Sequence, residues 1–224
     1  MPPQPYFTPA LFEFLAELKA HNTREWFAAH KDRYEVTVRD PTLRFIAALA
    51  PRLRRISPHV TADARPVGGS MFRIHRDIRF SRDKSPYKTH VGAHFTHEAG
   101  GRDVHAPGFY LHLEPGRSRG GGGLWHPDGA TLARVRNRIV SHPTEWRALR
   151  SRLDVEGEAL TRVPAGYDAR HPQAEDLKLK DFYVMEPCSD RDVIAPDFLD
   201  RFVEVCRRMN PLMRFLTSAL DLRW

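Results

Sequence analysis

The chain has 224 residues, 41% of them hydrophobic, with 35 basic against 28 acidic side chains and a net charge of +7. This length fits one domain with a substantial core, so we predict a single domain over residues 1–224, with residues 1–8 as a loose N-terminal tail. No apolar run approaches the roughly 20 residues that span a bilayer, and the N-terminus lacks the pattern of a secretory signal. We therefore expect neither a transmembrane segment nor a membrane partner.

Cysteine usage bears on the compartment. Cys188 and Cys206 are the only two cysteines and form neither a disulfide framework nor a C-x-x-C pair. This pattern favours a reducing environment, and we expect a cytoplasmic protein. The oligomeric state is not indicated by the sequence.

The N-terminal quarter has helical spacing of its apolar residues. Thr8 followed by Pro9 is typical of a helix start. Asn22 with Glu25 three residues later resembles a capping box that opens a second helix. A third helix is expected to kink or shorten at Pro51.

The middle of the chain changes to alternating apolar and polar residues, which predicts strands at Met71–Phe80, Val91–Thr96 and Phe109–Glu114. The short connection Ser81–Pro86 makes the first two an antiparallel hairpin. The run Gly120–Gly123 is interpreted as a turn that leads into the next helix.

The C-terminal half adds helices, a short strand at Phe182–Met185 and a terminal helix over Asp197–Met209 that Asn210 and Pro211 interrupt. The predicted fold class is therefore α+β, with a mainly antiparallel sheet flanked by N- and C-terminal helices.

Positive charge is concentrated in the predicted hairpin. Four Arg and two Lys against two Asp give the stretch from Met71 to His90 a net charge of +4. Strand alternation places Phe72, Ile74, Ile78 and Phe80 on the core face, together with Arg76. A guanidinium in an apolar layer needs a paired carboxylate or a wet pocket, so a structural ion pair and an anion site are both open.

In the anion-site hypothesis, the cations converge where the hairpin folds back, and Arg forks and Lys ammonium groups bind a carboxylate or phosphate. Asp77 and Asp83 would orient those cations or serve as acid–base candidates. The predicted anion-binding residues are Arg73, Arg76, Arg79, Lys84 and Lys88.

The stretch Arg76–His90, R-D-I-R-F-S-R-D-K-S-P-Y-K-T-H, resembles the core signature of a bacterial and fungal family known as a domain of unknown function. The motifs N-T-R-E-W-F at Asn22–Phe27 and G-G-G-L-W at Gly121–Trp125 resemble two further motifs of that family. The resemblance implies a shared fold and a site within the core signature, and it implies no activity.

Two other kinds of site have weaker support. Gly121, Gly122 and Gly123 could close over the hairpin as accessory residues, but the run matches neither phosphate-loop nor dinucleotide fingerprint. His75 with Asp77, His90 with His94, and His112 with Glu114 could become neighbours across strands and bind a divalent metal. Without a helical H-E-x-x-H or a tight Cys/His cluster, a metal is possible but not favoured, and no cofactor is predicted.

The favoured partner is therefore a small anionic ligand, phosphorylated or carboxylated, with no prediction of whether the protein is an enzyme. A nucleic-acid-binding module is the alternative, with Phe80, Tyr87 and Trp125 as stacking residues. Tyr87 could equally anchor the hairpin against the helices. A structural or protein-interaction role is the third possibility.

Overall fold

The computed structural model describes residues 4–101 and 105–224. It contains a four-stranded sheet. Helices lie before the first strand, between the third and fourth strands, and after the fourth strand in the chain. The helices are α1 (Pro9–Ala20), α2 (Arg24–Ala29), α3 (Lys31–Tyr34), α4 (Asp40–Leu53), α5 (Gly129–Ser141), α6 (Pro143–Arg150), α7 (Ala174–Leu177), α8 (Asp190–Val193) and α9 (Phe198–Ala219). A π-helical turn, Glu35–Arg39, joins α3 to α4, and a 3₁₀ turn lies at Glu98–Gly100.

The strands are β1 (Val91–Thr96), β2 (Gly108–Leu113), β3 (Arg119–Leu124) and β4 (Phe182–Pro187). They lie in the order β1-β2-β3-β4, and every neighbouring pair is antiparallel. The predicted α+β class, with an antiparallel sheet between N- and C-terminal helices in the chain, is confirmed.

The core joins the two ends of the chain. Phe45 of α4 stacks on Phe198 of α9 with ring centroids 5.5 Å apart, and Phe7 lies 5.4 Å from Phe45. Phe7 is fully buried, so this part of the predicted loose tail is packed into the core, while residues 1–3 lie outside the described residues. Because Phe202 of α9 also contacts Phe95 of β1 at 5.9 Å, the same apolar cluster extends onto the sheet.

The predicted interruption of the terminal helix at Asn210 and Pro211 is wrong, because α9 is continuous through Pro211 to Ala219. Helix α4 also contains a proline, Pro51, and ends two residues beyond it at Leu53. A proline removes one helical hydrogen bond, but buried residues on both sides of it keep the helix on its partner surface. Met209 and Leu212 are such residues in α9.

The predicted turn at Gly120–Gly123 is also wrong, because this run forms most of β3. Glycine suits this strand because its neighbours take the space of a side chain. A Cβ on Gly120 would lie 2.8 Å from the Phe202 ring, and one on Gly121 would overlap the Val184 carbonyl oxygen. Gly121, Gly122 and Gly123 lie in a strand that β2 separates from β1, so the structure does not place them as a loop over the hairpin.

We predict that Gly121→Ala lowers the free energy of unfolding by about 2–3 kcal/mol, because its methyl group would have to displace β4 backbone. The measurement is the urea midpoint of the purified variant. Gly129→Ala is the matched control, since a Cβ there meets nothing within 4 Å and the residue begins α5. A midpoint equal to wild type for Gly121→Ala would contradict the packing explanation.

Candidate functional site

Residues 72–89 form an irregular hairpin, which we call the signature hairpin, and they do not form the predicted strand Met71–Phe80. Its two arms are joined by few backbone bonds: the Arg76 N–H donates to the Pro86 carbonyl at 2.9 Å, and the Lys88 N–H donates to the Ile74 carbonyl at 2.7 Å. Proline has no N–H to return a bond at this point, which breaks the ladder. Of the predicted pairing between Met71–Phe80 and Val91–Thr96, an isolated antiparallel bridge between Met71 and Ala93 is present. Within the signature hairpin, a second isolated bridge joins His75 and Tyr87.

The hairpin is attached to the N-terminal helices through a side-chain clamp. The Asn22 amide nitrogen donates to the Tyr87 carbonyl at 3.0 Å, and its amide oxygen accepts from the Tyr87 N–H at 3.1 Å. The Tyr87 ring is 6% exposed and stacks on Phe27 with centroids 4.2 Å apart. Tyr87 therefore anchors the hairpin, which was one of the two interpretations of its sequence position.

The capping-box prediction for Asn22 is consequently wrong. Helix α2 is capped by Thr23, whose hydroxyl accepts from the Trp26 N–H at 3.2 Å. Asn22 lies one residue earlier, and its amide is used in the long-range clamp. A side chain that satisfies both backbone groups of one distant residue gives no local signal in the sequence.

The predicted anion-binding cations mostly make contacts inside the hairpin. The Arg76 guanidinium, 27% exposed, pairs with Asp83, and Arg79 pairs with Asp77 at 2.7 Å. Lysine ammonium groups bind backbone carbonyls: Lys84 donates to Ile78 at 3.0 Å, and Lys88 donates to Arg73 at 2.8 Å. The ion-pair interpretation of Arg76 is thus present in the structure, and four of the five predicted cations bind groups within the hairpin.

The carboxylates of Asp77 and Asp83 are poorly suited to acid–base catalysis. Hydrogen bonds from the guanidinium and backbone N–H of Arg79 lower the pKa of Asp77 to about 2. Hydrogen bonds from Ser85 and then Arg76 hold the pKa of Asp83 well below its usual range. An efficient general base at neutral pH has a pKa near 7, so this arrangement favours the orienting role for both Asp residues.

A cleft of about 340 Å³ lies between α2 and the hairpin. Its lining consists of Arg24, His75, Arg76, Ile78, Pro86 and Tyr87. This lining includes two arginines and one histidine and no acidic residue. Arg76 is the one predicted anion-binding residue in it, whereas Arg24 was missed, although it lies in the N-T-R-E-W-F motif.

The prediction that Phe80 lies on the core face of the hairpin is wrong. It was assigned to the core face, but its side chain is 95% exposed at the turn between the two arms. The alternation does hold as far as Ile78, since Ile74 is buried and His75 is exposed. It fails beyond Ile78 because the chain turns there, with the Ser81 N–H donating to the Ile78 carbonyl at 3.4 Å.

Histidines gather on the sheet face next to the hairpin. His90 stacks on His112 with centroids 4.4 Å apart, and His112 Nε2 lies 3.2 Å from a Glu114 carboxylate oxygen. The predicted proximity of His112 and Glu114 is therefore present. Within residues 4–101 and 105–224, however, no group of three or more His, Cys, Asp or Glu side chains is placed to hold a metal ion.

We predict that Asn22→Ala lowers the free energy of unfolding by about 1–3 kcal/mol, because both Tyr87 backbone groups lose their partner. Denaturant unfolding measures this loss, and limited proteolysis reports whether the hairpin opens. Asn22→Asp is the matched variant, since it keeps an acceptor for the Tyr87 N–H but cannot donate to the carbonyl. Full stability of both variants would contradict the clamp.

We predict that wild-type stability falls as the pH drops from about 6.5 toward 4. Burial, followed by the charges of His112 and Lys88, lowers the pKa of His90 to about 4, so the unfolded chain binds this proton first. Above the unfolded pKa of about 6.5, His90 is neutral in both states and lowers the free energy of unfolding little. Between pH 7 and 5, its protonation in the unfolded chain lowers the free energy of unfolding by about 1–2 kcal/mol.

The measurement is the urea midpoint of wild type and His90→Asn at those two pH values. The variant should lose less stability on acidification than wild type. Val67→Ser, which alters an exposed side chain that does not titrate, is the control and should keep the wild-type pH dependence. Equal acid sensitivity of wild type and His90→Asn would refute this assignment.

Comparison with known proteins identifies the family of the chain. A family model described as "Conserved hypothetical protein (DUF2461)" matches residues 10–215. This covers most of the chain, which therefore belongs to the DUF2461 family. No curated protein matches the sequence, and no solved structure matches it.

Proposed function

We propose that this member of the DUF2461 family binds a small organic anion in the cleft between α2 and the signature hairpin. The observation that carries the proposal is the composition of the cleft: Arg24, Arg76 and His75 line it without a carboxylate. Guanidinium groups bind carboxylate and phosphate oxygens through paired hydrogen bonds, so a ligand bearing either group is favoured.

The two arginines would contribute differently. Arg76 is held by Asp83 and by the Ser81 hydroxyl, 3.4 Å from its Nη2, so its position is set before a ligand arrives. Arg24 is exposed at the first turn of α2 and would complete the site from the other side. A fixed cation opposite an adaptable one suits a ligand that enters from solvent.

The rest of the lining limits the ligand. Ile78, Pro86 and Tyr87 give the cleft an apolar part, and its volume of about 340 Å³ is at the small end of ligand sites. A compact molecule with one anionic group and an apolar or ring-shaped remainder satisfies both parts. This argument supports binding and assigns no reaction.

The remaining predicted cations would act at longer range. Arg73, Arg79, Lys84 and Lys88 are not among the lining residues, but they add to the positive field around the cleft. Such a field raises the local concentration of anions and their rate of arrival.

A cytoplasmic location remains our expectation, and both cysteines are free thiols in the structure.

The nucleic-acid alternative loses one of its three stacking residues, because Tyr87 is buried under Phe27. Phe80 and Trp125 are 95% and 54% exposed. Nucleic-acid binding would show a steep linear fall of log affinity with log salt concentration, whereas one or two guanidinium contacts to a small anion give a shallow one.

We predict that phenyl phosphate binds wild type and that Arg24→Gln weakens this binding about tenfold or more, because one charge-assisted hydrogen-bonding group is lost. Titration calorimetry measures the dissociation constant, with inorganic phosphate and benzoate as companion ligands. Arg76→Gln should have a similar effect.

Arg79→Gln is the matched control, because it removes the same charge from the same hairpin outside the cleft lining. It should change the affinity little at moderate salt. An equal loss in Arg79→Gln and Arg24→Gln would mean that net charge alone attracts the anion. Undiminished binding by both cleft variants would overturn the proposal.

A further inference from the structure

The turn of the signature hairpin presents an aromatic side chain to solvent. Phe80 is 95% exposed, which exceeds the exposure of every other large hydrophobic residue in the described parts of the chain; the next is Val67 at 85%. Isolated apolar residues are common on surfaces, so exposure alone would carry no conclusion. The neighbours of Phe80 in the turn supply a second observation.

Positively charged residues flank Phe80 in the chain. Arg79, Arg82 and Lys84 are all exposed, and residues 76–85, which include the Arg76–Asp83 and Arg79–Asp77 ion pairs, have a net charge of +2. The Arg79 guanidinium carbon lies 5.8 Å from the centroid of the Phe80 ring. The tip of the hairpin therefore combines one projecting apolar side chain with exposed basic side chains next to it.

The hairpin is built to hold this tip outward. The Lys84 ammonium and the Ser81 N–H both donate to the Ile78 carbonyl, which closes the turn around Phe80. Asp83 accepts from the Ser85 hydroxyl at 2.6 Å, which fixes the returning arm. With Tyr87 clamped by Asn22 at the base, the ring projects from an anchored support.

We propose that the Phe80 tip docks on anionic phospholipid bilayers. A flat bilayer can be reached by a single convex projection, whereas single-stranded nucleic acids bind in grooves that carry several stacking rings. An aromatic ring partitions into the bilayer interface, and basic side chains beside it are attracted to negatively charged head groups. The two contributions add, as stable attachment to a membrane surface requires.

The contact is peripheral. No helix in the described part of the chain is long and apolar enough to cross a bilayer. The expectation of no membrane partner came from the lack of a spanning segment and of a secretory signal. Neither observation concerns a peripheral contact, and the exposed position of Phe80 supports one.

The test is co-sedimentation of the full chain with vesicles of phosphatidylcholine alone and of phosphatidylcholine mixed with phosphatidylserine. Wild type should bind the mixed vesicles preferentially and lose binding as salt is added. Phe80→Ser should bind them about tenfold or more weakly. Arg82→Gln should also weaken binding, and it keeps the Lys84 and Ser81 hydrogen bonds that close the turn around Phe80.

Val67→Ser is the control, because it removes another highly exposed apolar side chain outside the hairpin and should bind as wild type does. Equal binding by wild type and Phe80→Ser would overturn the proposal. So would retention of oligonucleotides, but not of vesicles, in a Phe80-dependent way. Phe80→Ser should still bind phenyl phosphate, so failure of membrane docking and failure of the anion cleft are distinguishable.

Discussion

The signature hairpin depends on the two hydrogen bonds between the Asn22 amide and the backbone of Tyr87. The arms of the hairpin share too few backbone bonds to hold themselves together, and Pro86 removes a donor where the ladder would continue. The clamp, together with the stacking of Tyr87 on Phe27, supplies the missing attachment. Because Asn22 lies two residues before the start of α2, the same contact brings Arg24 next to the hairpin and creates the cleft.

This arrangement divides the signature residues by role. Tyr87 and Pro86 shape and anchor the hairpin, while Asp77 and Asp83 orient Arg79 and Arg76 through ion pairs. These pairs are largely exposed and contribute little to stability, so their effect is on geometry. Of the five predicted anion-binding residues, only Arg76 is among the residues that line the cleft. A basic sequence motif is therefore a poor measure of how many cations can reach one ligand.

The sequence predicted the elements in which periodicity is strong and local. Helix α1 begins at Pro9 after Thr8, and β1 is Val91–Thr96, as the patterns indicate. It did not predict β3, because glycine has a low strand propensity and the reason for Gly120–Gly123 is the close approach of α9 and β4. It missed Arg24 and misassigned Asn22 because both act on a segment about 50 or more residues away, which local patterns do not report.

We propose that Arg24 and Arg76 jointly bind an anion, and a crystal structure of the protein grown with phenyl phosphate would show whether they do. We expect phosphate oxygens within hydrogen-bonding distance, about 3 Å, of both guanidinium groups, with the phenyl ring against Ile78 and Pro86. A well-ordered cleft without the ligand, or phenyl phosphate bound only at Arg79 and Lys84, would contradict it.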